Sequence, residues 1–385
     1  MLLARFLSKL FTKEGIVLID SAGQKYICGE VANKEKPLTL KLLKKDLNWK
    51  LLIYPELYLG EEYYKGNIEI ENGTIYDFLN LSLKNLGRKK VNIYSSILNS
   101  LVYGYKFLRD HNFVRASKLN AEMHYNRGED IYDWMLDTEH RQYSCAIFKN
   151  PKETLEQAQT NKLSLIVKKL NLKPGQRVLD IGCGWGGLSR YIAKEIGCEV
   201  HGISLASNQI EFCKKKARES KLDNLLSYEL CDYREVKGTW DRIVNVGFFE
   251  HVSPKFYKTF FKKIHDLLKD NSDSLCLTHT IATTNPPGPT NPFINKYIFH
   301  GGKVPSASQI TKAIEGSGLV ISGWESLIDH YNLTLDHWRE RFLKNVSKAK
   351  KIYSPNFVRL WDFYLSSCSA AFKWSDLLVY QIETV

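Results

Sequence analysis

Two apolar stretches of this chain run into residues that can move a proton. Asp241-Arg242-Ile243-Val244-Asn245-Val246 is followed by Gly247-Phe248-Phe249-Glu250-His251-Val252, and Ser274 to Thr278 is followed by His279-Thr280-Ile281. A carboxylate and an imidazole placed after strands can serve as acid and base, or can grip a small ion. Singly, Glu250 suits the acid of a helix N-terminus and His279 a satisfied buried histidine; after successive strands they favour a shared function. A second constellation lies upstream. Val178-Leu179-Asp180-Ile181-Gly182-Cys183-Gly184-Trp185-Gly186-Gly187 takes an apolar run through an acid into glycines, and Leu188 to Lys194 resumes at helical spacing. Glycine lets the backbone take positive φ and approach a ligand, and the turn leaves N–H groups at a helix start. Gly182, Gly184 and Gly187 satisfy G-x-G-x-x-G, so spacing alone does not exclude a nicotinamide or flavin cofactor. Asp180, two residues before the first glycine, points elsewhere.

These residues need a scaffold that brings strand ends together. From Thr154 a long helix leads to the Asp180 strand; then come Glu199 to Ser204, a helix through Gln209 and Phe212, Leu230-Cys231-Asp232-Tyr233, and the Asp241 strand. Strands alternating with helices predict an α/β fold, a doubly wound parallel sheet with right-handed crossovers and a ligand at the carboxyl ends of its strands. Before Gly73 the pattern differs. Ile16 to Ile19, Lys25 to Cys28 and Leu38 to Leu43 are short segments divided by glycine, proline and asparagine, which predicts a smaller mixed α+β domain. Helical spacing follows around Tyr76–Leu86 and continues through about Arg109. Residues 1–13 place Leu3, Phe6, Leu7, Leu10 and Phe11 at helical spacing among Arg5, Lys9 and Lys13, which describes either a surface-seeking helix or one packed on its own domain.

Composition narrows the partners. A net charge of +12 calls for an anionic one, nucleic acid or an acidic lipid surface. Eight cysteines without a C-x-x-C pair or zinc-like spacing fit a reducing compartment and predict no metal. No apolar run approaches the roughly 20 residues of a membrane-spanning helix, and Arg5 and Lys9 interrupt the apolar core that a signal peptide needs. The expectation is a cytoplasmic protein, peripheral at the inner face of the membrane.

The Asp180–Gly187 stretch resembles the first motif of methyltransferases that use S-adenosylmethionine, in which the glycine turn faces the amino-acid part of that cofactor. Over roughly residues 120–385 the chain resembles the cyclopropane fatty acid synthases. The matching stretches are His124-Tyr125, Tyr143-Ser144-Cys145-Ala146, the glycine turn, Asp232-Tyr233-Arg234, Phe249 to Val252, His279-Thr280-Ile281, Asn295 to Phe299, His330-Tyr331 with Thr334-Leu335, and Trp361 to Phe372. The resemblance implies transfer of a methylene from S-adenosylmethionine to the double bond of an unsaturated acyl chain in a membrane phospholipid, with bicarbonate as base. It implies that Glu250, His279 and Tyr331 hold bicarbonate by side chains, and Cys145 and Ile281 by backbone. For S-adenosylmethionine it points to Tyr143, Ser144, Asp180, Gly182, Gly184, Ser204, Gln209 and Tyr233, with Gln209 as the candidate for the ribose. Cys368 matches a cysteine nominated for the family's active site; a thiolate has no step in this chemistry, and a helix rich in small residues suits a buried thiol. His300-Gly301-Gly302 stands where the family commonly has a proline after Ile-Phe.

The division implied is 1–112 for a lipid- or membrane-associating domain and 113–385 for the catalytic domain. Lys41, Lys44 and Lys45, the group Lys84/Arg88/Lys89/Lys90, and apolar Leu3, Phe6, Leu7 and Phe11 are the candidates for contact with an anionic bilayer. A homodimer is also expected as an option. A lipid methyltransferase leaving a methyl branch starts from the same chemistry and is the alternative. A nucleic-acid methyltransferase would explain the charge, but no strand end like Asn-Pro-Pro-Tyr is present to hold a flipped base, so no nucleic-acid partner is expected.

Overall fold

The computed structural model describes residues 1–87, 129–271 and 273–385. His124-Tyr125, Arg88, Lys89, Lys90 and the boundary at 112 lie outside the described residues. The chain forms two compact units, one drawn from within 1–87 with 291–298 and 335–376, the other from 129–290, 299–334 and 377–385. Packing thus places two later segments with the N-terminal residues, a grouping that chain order does not suggest.

In the first unit, strands β1 (Ile16–Ile19), β2 (Lys25–Cys28), β3 (Thr39–Leu42) and β4 (Ile68–Glu71) form a mixed sheet in the order β2-β1-β3-β4. Its core takes Ile16, Leu18, Leu40 and Ile68 from the strands and Phe363 and Ala370 from the helix Pro355–Trp374. The N-terminal helix Leu2–Leu10 sends Leu3 and Leu7 into this core, and Phe11 follows them. Packing on its own domain is the outcome for that helix; of the four apolar candidates for the bilayer, only Phe6 is exposed.

The second unit is built on β5 (Arg177–Ile181), β6 (Glu199–Ser204), β7 (Leu226–Leu230), β8 (Arg242–Val246), β9 (Leu275–Thr283), β10 (Ile321–Leu327) and β11 (Leu377–Thr384). Their order is β10-β11-β9-β8-β5-β6-β7. Strands β7, β6, β5, β8 and β9 are mutually parallel, and β11 runs antiparallel to β9. Both faces are covered: Leu179, Ile181 and Ile243 pack into one apolar cluster, Val178, Val200 and Val244 into another. From β5 the sheet grows first through β6 and then, on the other side, through β8, so the crevice opens at the carboxyl ends of β5 and β8.

One strand boundary differs from the sequence reading. His279, Thr280 and Ile281 lie within β9, not after it, because pairing with β11 continues past the parallel ladder to β8: Val246 is opposite His279, and β11 goes on to match Leu377 with Thr283. The tail that forms β11 follows the helix Pro355–Trp374 after only Ser375-Asp376, and its pairing partner β9 lies about a hundred residues upstream.

Candidate functional site

The glycine turn leaves β5 at Ile181 and enters the helix Gly187–Ile196. Gly182 (φ +77°) and Gly184 (φ +53°) adopt conformations that side chains rarely accept, and a Cβ on Gly184 would point into open space. Gly187 serves packing instead, since a Cβ there would collide with the carbonyl of His140. Asp180 is buried beneath the turn, where Oδ2 accepts a hydrogen bond from Ser189 Oγ at 2.6 Å. Burial pushes its carboxyl up to about 6, against the opposing pull of Ser189 and of nearby Lys162. Asp180 therefore braces the turn against its helix.

Gly182, Gly184, Ser204, Gln209 and Tyr233 line one cleft, joined by Asp232, Arg234, Phe248, His251 and Phe256. Ser204 ends β6 and donates to Gln209 Oε1 at 2.9 Å, so these two are held together. The Tyr233 hydroxyl is buried and has no hydrogen-bond partner among the described residues. Asp232 is pinned by Arg234, which reaches both carboxylate oxygens at 2.7 Å. His300 and Gly301, where the chain departs from the family's proline, belong to the same lining.

Tyr143 and Ser144 are not part of that lining. Tyr143 stacks on Phe299 with ring centres 6.4 Å apart and meets Tyr132 edge-on at 5.3 Å. Ser144 is held from behind by Lys162, which is fully buried and donates to Ser144 Oγ at 2.9 Å and to Gln142 Oε1 at 2.5 Å. Desolvation lowers the Lys162 ammonium to about 7. Sequence reasoning missed Lys162, because a single lysine in a long helix reads as a solvated face. Its only signal is the spacing that puts Leu155, Ala158, Gln159, Lys162, Leu163 and Ile166 on the buried side.

Glu250 sits in the short 3-10 turn Phe249–His251 after β8. Oε1 accepts the Ile281 N–H at 2.5 Å, while Oε2 is buried without a partner among the described residues. Burial pushes the carboxyl up to about 7, although the Ile281 amide, its own backbone and the nearby Thr280 hydroxyl pull it down. His279 is buried in β9, and Gln381 Nε2 of β11 lies 3.1 Å from its Nδ1. With the Gln381 amide in this orientation, Nδ1 accepts and the ring proton sits on Nε2. Desolvation lowers this imidazole to about 3, so it stays neutral. Gln381 was not legible in sequence, since its strand was not. The Ile281 N–H is already engaged by Glu250, so it acts through that carboxylate and is not a free donor.

Tyr331 opens the helix Tyr331–Lys344 and is half-buried. The same corner ties the 144–148 segment down: Ala146 N–H donates to Thr334 Oγ1 at 3.0 Å and Phe148 N–H to His330 Nδ1 at 3.2 Å. Cys145, the residue before Ala146, is buried, and burial pushes its thiol up to about 12. Cys368 belongs to the first unit, on the helix Pro355–Trp374, whereas the other candidates belong to the second. Burial pushes its thiol to about 12 as well, so it is not a thiolate at neutral pH.

The sequence model of the mycolic acid cyclopropane synthetase family matches residues 114–382. The chain belongs to this family. It is 34% identical over 92% of its length to the cyclopropane-fatty-acyl-phospholipid synthase of Escherichia coli, covering 89% of that protein. It is 33% identical over 68% of its length to a probable fatty acid methyltransferase of Pseudomonas putida, again covering 68% of it. Among solved structures, a mycolic acid cyclopropane synthase complexed with SAH and CTAB superposes with a TM-score of 0.65 at 29% identity, covering 69% of this chain and 97% of that one. The fold is thus that of the S-adenosylmethionine-dependent methyltransferases.

Proposed function

We propose that this chain is an S-adenosylmethionine-dependent synthase that places a methylene across the double bond of an unsaturated acyl chain in a membrane phospholipid, with bicarbonate as base. The observation that carries the reading is Glu250: a carboxyl just after a strand, pushed up to about 7 by burial, with one oxygen fixed by the Ile281 amide and the other buried without a hydrogen-bond partner among the described residues. A buried oxygen left in that state is costly unless a ligand completes it.

The cleft suits the cofactor. Positive-φ glycines let a ligand approach the backbone, Ser204 and Gln209 offer a prearranged polar pair, and the Tyr233 hydroxyl, without a hydrogen-bond partner among the described residues, is available to a ligand. When bound, S-adenosylmethionine supplies an electrophilic methyl on a sulfonium. The alkene's π electrons would form the new C–C bond as the methyl–sulfur bond breaks and S-adenosylhomocysteine leaves; positive charge would develop on the acyl chain, and one proton would leave the transferred carbon as the ring closes. Phe248 and Phe256 in the cleft lining are aromatic and cannot compete as nucleophiles for a developing cation. In its protonated form Glu250 can donate through Oε2 to an anion, and neutral His279 can donate through Nε2. These two, with Tyr331 and the Cys145 backbone, would hold a bicarbonate that takes up the proton.

The Pseudomonas putida relative favours one alternative, a methyl-branched product from the same cation quenched differently. Mass spectrometry of phospholipid acyl chains after expression in a host lacking the ring separates the outcomes. A gain of one CH2 as a ring supports the proposal, a saturated or unsaturated methyl branch supports the alternative, and unchanged acyl chains overturn both.

A further inference from the structure

The short helix Leu47–Ile53 of the first unit is apolar on two opposite sides. Leu47 and Leu51, four apart, are buried in the unit's core. Trp49 and Ile53, also four apart, face away and are 59% and 74% exposed. A surface helix ordinarily turns charged or polar residues outward; this one turns out a tryptophan and an isoleucine. Leu43, 43% exposed, lies just before it. Between them Lys44 and Lys45 are exposed and form no salt bridge among the described residues.

The neighbouring charges are already matched. Lys50 pairs with Asp46 at 2.8 Å and Glu62 at 3.0 Å, Lys41 with Glu69 at 3.1 Å and Glu71 at 3.2 Å, and Lys84 with Glu14 at 3.4 Å. Lys41 and Lys84, both expected at an anionic surface from sequence, are thus largely neutralised, and Leu3, Leu7 and Phe11 are core residues.

We propose that Leu43, Lys44, Lys45, Trp49 and Ile53 form the face on which this chain docks to an anionic bilayer. The proposal rests on the reading that the substrate is a membrane phospholipid, whose double bond can be reached only from a bilayer surface. Tryptophan prefers the boundary between headgroups and acyl chains, an exposed isoleucine gains by entering it, and unmatched lysines are drawn to anionic headgroups. A two-fold contact between copies through this small face would instead bring the lysines of one copy near those of the other.

The full-length protein and two double variants, Lys44→Gln/Lys45→Gln and Trp49→Ser/Ile53→Ser, are compared by sedimentation with vesicles. One set is phosphatidylglycerol mixed with phosphatidylcholine, both with unsaturated chains; the other is phosphatidylcholine alone. Each lysine is worth roughly five-fold in partitioning to an anionic surface. The lysine variant should therefore bind the anionic vesicles about 25-fold more weakly, and the apolar variant roughly ten-fold more weakly. Calorimetric affinity for S-adenosylmethionine should stay at the wild-type value, which reports intact folding. Wild-type binding by both variants overturns the proposal, as does a change in solution mass from dimer to monomer with vesicle binding retained. Acyl-chain product is measured on the same vesicles. Wild-type docking without any product would overturn the functional reading and leave the docking face standing, whereas product formation with undiminished docking by the variants would do the reverse.

Discussion

Glu250 binds its proton more tightly in the fold than in the unfolded chain, because burial raises it from 4.5 to about 7. Its contribution to stability is therefore fully present below pH 4.5 and is lost as pH rises through 7. Glu250→Gln has no proton to lose, so its stability relative to wild type should rise between pH 5 and 8, by up to about 3 kcal/mol. Denaturant unfolding at both pH values checks the sign; a constant difference would mean that the carboxyl is not buried as a neutral acid. On turnover the same change should cost roughly 100-fold or more with little effect on S-adenosylmethionine affinity, and near-normal turnover would remove Glu250 from the chemistry. Lys162 acts one step back. Lys162→Met deletes two hydrogen bonds that hold Gln142 and Ser144; if Ser144 contacts the cofactor as the family resemblance implies, although it does not line the cleft, affinity for S-adenosylmethionine should fall about ten-fold while kcat at saturation is largely kept. A collapse of kcat with affinity intact would place Lys162 in the reaction itself. Cys368→Ser should remain active, since that thiol sits near 12 and no covalent step needs it; loss of turnover in a folded variant would restore a nucleophile.

The turn between β5 and its helix is the element on which cofactor binding depends. Gly184→Val would put a β-branched residue at φ +53° and aim it into the open space of the cleft. The strain and the lost volume together should weaken S-adenosylmethionine at least ten-fold in calorimetry, and unchanged affinity would move the cofactor elsewhere. This element was legible because its signals are local: an apolar run, an acid, glycines and a resumed helical period. The strands β1, β2 and β6 were legible for the same reason, being short β-branched or apolar runs between turn residues. What escaped was set by partners distant in sequence. His279 belongs to the interior of β9 only because β11, a hundred residues on, lies beside it, and Gln381 comes with that strand. Lys162 reads as a helix-surface cation until the helix is packed, when its spacing from Leu155 and Ile166 places it inside. Leu3, Leu7 and Phe11 carry the periodicity of an amphipathic helix, which cannot say whether the apolar side meets a bilayer or its own domain.

At the scale of the whole molecule, the sequence suggests a cut after residue 112, and the packing argues that such a cut would not leave an intact remainder. The segments 291–298 and 335–376 belong to the first unit together with residues from within 1–87. Phe293, Phe363 and Ala370 are buried in one core with Leu3, Leu7, Ile16 and Phe78. Polar ties run the same way: Arg359 donates to the carbonyls of Tyr63 and Ile68 at 2.7 Å each, and Trp374 Nε1 to Asn80 Oδ1 at 2.6 Å. Losing the N-terminal partners would expose the two phenylalanines, at about 1.5–3 kcal/mol each, and strip the hydrogen bonds of Arg359 and Trp374 at about 1 kcal/mol each. That total approaches the roughly 5–15 kcal/mol that holds a typical domain together. A chain starting at residue 113 should therefore unfold at a lower temperature than the full chain or aggregate on expression, which circular dichroism and light scattering measure directly. The substitutions at Lys44, Lys45, Trp49 and Ile53 leave that core in place, so they can separate membrane docking from folding where the truncation cannot. A truncated protein that melts as the full chain does, with its helix Pro355–Trp374 intact, would mean that the C-terminal segments need no N-terminal partner.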